Sequence, residues 1–175
     1  MVSGPAGKGK VHYEAPAAAL LPMEMSAFLA WANDASDRTD AVLRAALAHL
    51  RFVTIHPFDD GNGRIARAIA DWQLARSENS GQRLYNMSAQ VRAERNDCYG
   101  ILERTQKGTL DVTRWLEWFL GCLERAIAGT ETTLHGVLRK ARFWDRHAKV
   151  PLNNRQRDTV NRLLDGFEGT LTTMK

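Results

Sequence analysis

The sequence predicts an all-α bundle entered through one short β-hairpin. Apolar residues recur at helical spacing in every long segment after residue 20, and proline or glycine stands where those periods stop. Only the stretch around Val11 and Tyr13 alternates as a strand does. With 175 residues, 44% hydrophobic and 25% charged, the chain suits one main globular core and excludes disordered or fibrous classes.

Taken in order, "SGPAGKGKVHYEAP" reads as a glycine-rich turn feeding that strand, then a loop at Pro16. Met25, Phe28, Leu29 and Ala32 share one face of a first helix. Leu43, Leu47, Leu50 and Val53 or Thr54 define a second, with Asp37 or Thr39 as its N-cap. It ends near His56, because Pro57 drives the residue before it out of the α region. A third helix starts at the Gly-Asn-Gly turn and buries Ile65, Ala68, Ile69 and Trp72. "MSAQVRAERNDCYGILERTQ", "DVTRWLEWFLGCLERAIA" and "ETTLHGVLRKARFWDRHA" give three more, and Pro151 with the following "LNN" marks a break. Nothing repeats at a fixed period.

The net charge of +4 is dispersed along the chain, which describes a solvated surface better than a nucleic-acid patch. No apolar run has the length of a membrane span, and the first residues lack a signal-peptide core. Cys98 and Cys122 have no zinc spacing and read as structural thiols of a cytoplasmic, reducing environment.

The chemistry concentrates in "HPFDDGNGRIAR", His56 to Arg67. With Asn62 as N-cap, the amides of Gly61 through Arg64 form a helix N-terminus of the kind that binds phosphate. The flanking glycines let backbone approach a ligand closely. Arg64 and Arg67, three apart, share a side of the new helix and suit a polyphosphate. Asp59 and Asp60 would repel that phosphate without a cation between, and Mg²⁺ is the expected one. Histidine is the side chain ordinarily able to take a proton from a hydroxyl near neutral pH, which makes His56 the candidate base. Each feature alone has an ordinary structural explanation. Together, within twelve residues, they describe transfer of a phosphorus-centred group to a hydroxyl.

This segment resembles the motif of Fic proteins, HxFx(D/E)GNGRxxR, at His56, Phe58, Asp60, Gly61, Asn62, Gly63, Arg64 and Arg67. The similarity extends to "VHYEAP" before it and to "MSAQVRAERNDCYGILERTQKGTLDVTRWLEWFLGCLERAI" after it, covering most of residues 2 to 148. It implies an all-α Fic fold with a β-hairpin flap at about residues 2–14, and a winged-helix-like start over 149–175. The implied activity is transfer of AMP from ATP to a Ser, Thr or Tyr hydroxyl of a target protein. In that role His56 is the base and Asp60 holds Mg²⁺. Gly61, Asn62 and Gly63 form the anion hole, Arg64 and Arg67 bind the outer phosphates, and Phe58 anchors the loop in the core. Tyr99 lines the adenine site. The kinase-like Doc branch carries lysine where this chain has Gly63, so Gly63 points to AMP rather than γ-phosphate transfer.

By the same resemblance the flap would align a target by adding a strand beside it, and the sequence reads as starting within that flap. No match to the inhibitory pattern [ST]xxxE[GN] occurs: Leu74 precedes Glu78-Asn79, and Leu164 precedes Glu168-Gly169. An inhibitory helix is therefore expected from a segment N-terminal of these residues. The tail ends before a recognition helix, so specific DNA binding is not expected of it. Two other readings stand beside the transferase: a nucleotide-binding regulatory module without turnover, and a hydrolase that removes AMP. The intact His56 disfavours the first and the missing glutamate the second. His49, seven residues before His56, reads as structural rather than as a metal ligand.

Overall fold

The computed structural model describes residues 2–3, 10–11, 13–78 and 84–167. β1 (Val2–Ser3) pairs antiparallel with β2 (Lys10–Val11), Val2 opposite Val11 and Ser3 opposite Lys10. The remainder of the expected flap, residues 4–9 and 12, lies outside the described residues. A 3₁₀ turn at Ala18–Leu20 leads into α1 (Leu21–Asn33), followed by α2 (Ala41–Ile55), α3 (Asn62–Glu78), α4 (Met87–Ala93), α5 (Arg95–Lys107), α6 (Thr113–Arg146) and α7 (Asn154–Leu164). The chain divides into two compact units, Met1–Ile127 and Ala128–Lys175, and the division falls inside α6.

α2 is buried on several sides, from Arg44 to Ile55. Asp40 caps it, accepting from the amides of Val42 (2.9 Å) and Leu43 (3.2 Å). The expected caps lie upstream because Asp37 is engaged in its own turn, accepting from the Thr39 amide at 2.8 Å. Arg44 ties α2 to the end of α1 by donating to the carbonyls of Trp31 (2.6 Å) and Asp34 (2.7 Å). These are carbonyls that a helix terminus leaves without intrahelical partners.

α3 packs more extensively on α2 than on any other element. Its buried residues are Asn62, Ala66, Ala70, Gln73 and Leu74, whereas Ala68 and Trp72 are exposed. Ile65 and Ile69 pack against the core as expected, partly buried, but the fully buried line lies beside them because close helix approach selects small residues. Ala45, Ala46 and Ala48 of α2 and Ala66 of α3 have no accessible surface. Trp72 instead lies under the Arg76 guanidinium, 4.9 Å from its ring.

The single helix expected over "MSAQVRAERNDCYGILERTQ" breaks at Glu94, whose backbone leaves the helical region (φ −95°, ψ 27°). The Glu94 carboxylate accepts two hydrogen bonds from Arg125, at 2.7 and 2.6 Å. Conversely, two expected helices join into the 34-residue α6, since Gly129 alone does not stop a helix. Trp115, at the start of α6, is fully buried and donates its indole N–H to the Ala46 carbonyl at 2.9 Å. Within the second unit, α7 starts at a capping box between Asn153 and Gln156. Trp144 donates to Asn161 (3.0 Å) and Arg139 to the Leu164 carbonyl (2.8 Å), joining α6 to α7.

Candidate active site

α2 delivers His56 as its C-cap. The His56 amide still bonds the Phe52 carbonyl at 3.0 Å, but its backbone turns left-handed (φ 52°, ψ 55°). Among the described residues no other non-glycine residue has positive φ. The conformation costs about 1–2 kcal/mol and aims the side chain away from the helix path. His56 Nδ1 lies 3.3 Å from the Val53 carbonyl. With the proton on Nδ1 donated there, Nε2 keeps its lone pair for a substrate proton. Thr54, two residues before His56, is held through backbone and side chain: Tyr13 donates its hydroxyl to the Thr54 carbonyl (2.9 Å), and Gln106 donates to the Thr54 hydroxyl (3.1 Å).

The turn into α3 differs from expectation at its cap. Gly61, at φ +87°, supplies the carbonyl that accepts from Arg64 N (2.9 Å) and Ile65 N (3.0 Å). Gly61 is thus the N-cap residue and Asn62 the first residue of the helix. A side chain at position 61 would be strained by that φ. Asn62, 3% exposed, folds its carboxamide back onto the loop. Its Oδ1 accepts from the Phe58 amide at 3.1 Å and its Nδ2 donates to the Phe58 carbonyl. The side chain is therefore engaged in shaping the loop, and what α3 offers an anion is its N-terminal backbone. Phe58 is not the core anchor expected: it is 50% exposed, with its ring 6.4 Å from Phe52. The loop is fastened by the Asn62 clamp instead. Asn62→Ala is expected to cost about 1–3 kcal/mol and to speed hydrogen exchange at the Phe58 amide. Unchanged exchange there would contradict the clamp.

Two cavities of about 350 Å³ each meet at this turn. His56, Asn62, Gly63, Arg67 and Tyr99 line both. Asp59, Asp60, Gly61 and Arg64 complete the outer one, which thereby gathers every site residue named from the sequence. Arg64 reaches Asp60 at 3.1 Å, with side chains 74% and 93% exposed, so the pair contributes little to stability. Arg67 is half-buried and its Nε donates to Ser88 on α4 at 3.2 Å. Tyr99 carries the Arg95 guanidinium 5.1 Å above its ring.

The other cavity is more apolar and is lined by Val53, Val91 and Leu102. Tyr13, Arg95, Glu103 and Gln106 also line it and were not singled out from sequence. Their signal was available in part: Arg95, Tyr99, Leu102 and Gln106 follow one another at helical spacing along α5. Asp59 and Asp60 are the carboxylates at the outer cavity. Among the described residues no three His, Cys, Asp or Glu side chains cluster as a metal cage. One or two carboxylates beside a cavity lined by Arg64 and Arg67 are a donor set that suits Mg²⁺ arriving with phosphate oxygens and water.

His49 is 2% exposed and stacks on Trp115, ring centroids 5.1 Å apart. Burial, with the nearby Arg67 charge, pushes its pKa down from 6.5 to about 3. Between those values the unfolded chain binds a proton that the folded chain refuses, so stability falls as pH drops below 6.5. The loss from pH 7 to pH 5 is about 2 kcal/mol. Urea midpoints at the two pH values are expected to differ more for the native chain than for His49→Phe, and equal differences would contradict it. Burial also pushes the Cys98 and Cys122 thiols up to about 12, leaving both unreactive.

Residues 3–74 match the model of the Fic/DOC family. The chain is 50% identical over 48 residues to the protein adenylyltransferase fic-1 of Caenorhabditis elegans, 27% of this chain and 9% of that protein. It is 32% identical over 108 residues to the protein adenylyltransferase Fic of Drosophila yakuba, 61% of this chain and 20% of that protein. It is 41% identical over 59 residues to the uridine 5′-monophosphate transferase of Xanthomonas campestris pv. campestris (strain 8004), 30% of this chain and 11% of that protein. The chain thus spans a fifth or less of the length of these relatives. The crystal structure of a Fic family protein from Desulfovibrio desulfuricans G20 superposes with a TM-score of 0.60 at 27% identity, over 69% of this chain and 36% of that one. Residues 3–74 are thus similar to the Fic/DOC family, the fold is an all-α, Fic-like bundle, and the sequence similarity is to Fic-type adenylyltransferases.

Proposed function

We propose that this Fic-type domain transfers AMP from ATP to a serine, threonine or tyrosine hydroxyl of a protein. The observation that carries the reading is the outer cavity, in which one imidazole, a helix N-terminus, two arginines and two carboxylates converge.

In the reaction so proposed, Nε2 of His56 takes the proton from the target hydroxyl, whose oxygen forms a bond to the α-phosphorus. The bond from that phosphorus to the oxygen bridging to the β-phosphate breaks, and pyrophosphate leaves with the bonding electron pair. The N-terminal amides of α3 receive the charge that grows on the α-phosphate oxygens. Arg64 and Arg67 hold the outer phosphates, with Gly63 leaving backbone room beside them. Asp60 is the carboxylate that would hold Mg²⁺, which when bound neutralises phosphate charge. The base and ribose enter the more apolar cavity, past Tyr99.

The catalytic domain is read as residues 1–148, with 149–175 as the start of a winged-helix-like segment. The β1–β2 pairing supports a flap that presents an edge to the target backbone. Inhibition of the kind the family uses would have to come from a helix outside these residues. Buried free thiols favour a cytoplasmic setting, and among the described residues no helix is long and apolar enough to cross a membrane. Incubation with Mg²⁺ and ATP, followed by intact mass spectrometry of the chain and of lysate proteins, is expected to show AMP adducts. No adduct on either would overturn the reading.

A further inference from the structure

The lining of the more apolar cavity holds one buried polar side chain that the proposed reaction does not use. Its buried residues are His49, Val53, Asn62, Val91, Cys98 and Leu102. Asn62 is engaged by Phe58, and the Cys98 thiol is a weak hydrogen-bonding group. That leaves His49, whose Nδ1 is buried without a hydrogen-bond partner. Buried polar atoms are nearly always paired, and an orphan costs about 1–3 kcal/mol, so this one calls for an explanation.

We propose that His49 selects the nucleotide, its imidazole hydrogen-bonding the edge of the heteroaromatic base that enters the cavity. The inference rests on the nucleotide-binding reading of the site and adds the residue that discriminates among bases. α2 places His49 two turns before His56, about 10 Å along the helix axis, so a ligand spanning both is elongated as a nucleotide is. Stacking on Trp115 fixes the plane of the imidazole. Because burial keeps the ring neutral, it presents one donor and one acceptor rather than two donors. Nδ1, the unpartnered nitrogen, can make one hydrogen bond of one sense, so a base edge that offers the complementary group satisfies it and one that offers a like group leaves both unpaired. Such a mismatch discriminates far more sharply than shape alone.

The test compares binding of ATP, GTP, CTP and UTP, each with Mg²⁺, to the native chain, His49→Phe and His49→Asn. Phenylalanine keeps a ring to stack on Trp115 and removes both nitrogens, whereas asparagine restores one donor and one acceptor. The native chain is expected to prefer one nucleotide by about 10-fold or more, His49→Phe to lose that preference, and His49→Asn to recover part of it. In the native chain, saturation with the preferred nucleotide is expected to shift the His49 ring ¹⁵N resonances, a readout independent of whether either variant folds. An unchanged preference in folded His49→Phe, or unmoved ¹⁵N resonances, overturns the role of His49 and leaves the transferase reading intact. If no nucleoside triphosphate binds the native chain, the transferase reading itself fails and the inference with it.

Discussion

His56→Ala is expected to lower AMP transfer by about 10²–10⁴-fold while leaving the affinity for Mg²⁺ and ATP within about two-fold. The separation follows from where His56 stands. It lines both cavities, but the groups proposed to bind phosphate belong to α3 and the arginines, which the substitution does not touch. The backbone is the complication, because position 56 holds a left-handed conformation that alanine adopts no more readily than histidine. His56→Asn is the control: asparagine favours that conformation, keeps the cap of α2 and supplies no base. Both variants should be inactive and folded, read by transfer rate, calorimetric titration of nucleotide and thermal denaturation. An active His56→Asn would remove the base from the proposed mechanism.

Trp115→Ala is expected to destabilise the first unit by about 3–5 kcal/mol, the range for emptying a large buried aromatic site. Trp115 is fully buried, sits 5.2 Å from Trp118 and 6.0 Å from Phe119, and supplies the hydrogen bond to the Ala46 carbonyl. Losing it opens a void on α2 seven residues before His56 and takes the stacking surface from His49. Since domains are stable by only about 5–15 kcal/mol, one such loss is a large share of the total. Denaturant titration gives the number, and a loss below about 1 kcal/mol would show that Trp115 does not join α6 to α2 as described.

What was legible in the sequence divides by range. That the loop's groups would come together was legible, because they lie within twelve residues and helix geometry fixes how they fan out. The end of α2 was legible because Pro57 constrains the residue before it. The cap of α2 was not: Asp37 and Thr39 were the residues expected there, but the Asp37 carboxylate is engaged by the Thr39 amide, and the cap falls to Asp40. The buried face of α3 was read correctly at Ile65 and Ile69 and missed at Trp72, because apolar size suggested Trp72 whereas contact with α2 selected Ala66 and Ala70. Phe58 was expected to be a core anchor from the resemblance to the Fic motif, and the fastening came from the Asn62 carboxamide, a clamp that depends on loop geometry. Nor did spacing show that His49, two turns up the same helix, lines a cavity that opens at His56, since the far wall is built by α4 and α5.

Transfer of a nucleotidyl group by the His56 loop is tested most directly by labelling. The native chain and His56→Asn are incubated with Mg²⁺ and ATP carrying radiolabel on either the α- or the γ-phosphate, and protein-bound label is counted. Label from the α position alone, on the native chain alone, is the expected result. Label from the γ position, or equal α-label with His56→Asn, would contradict the account.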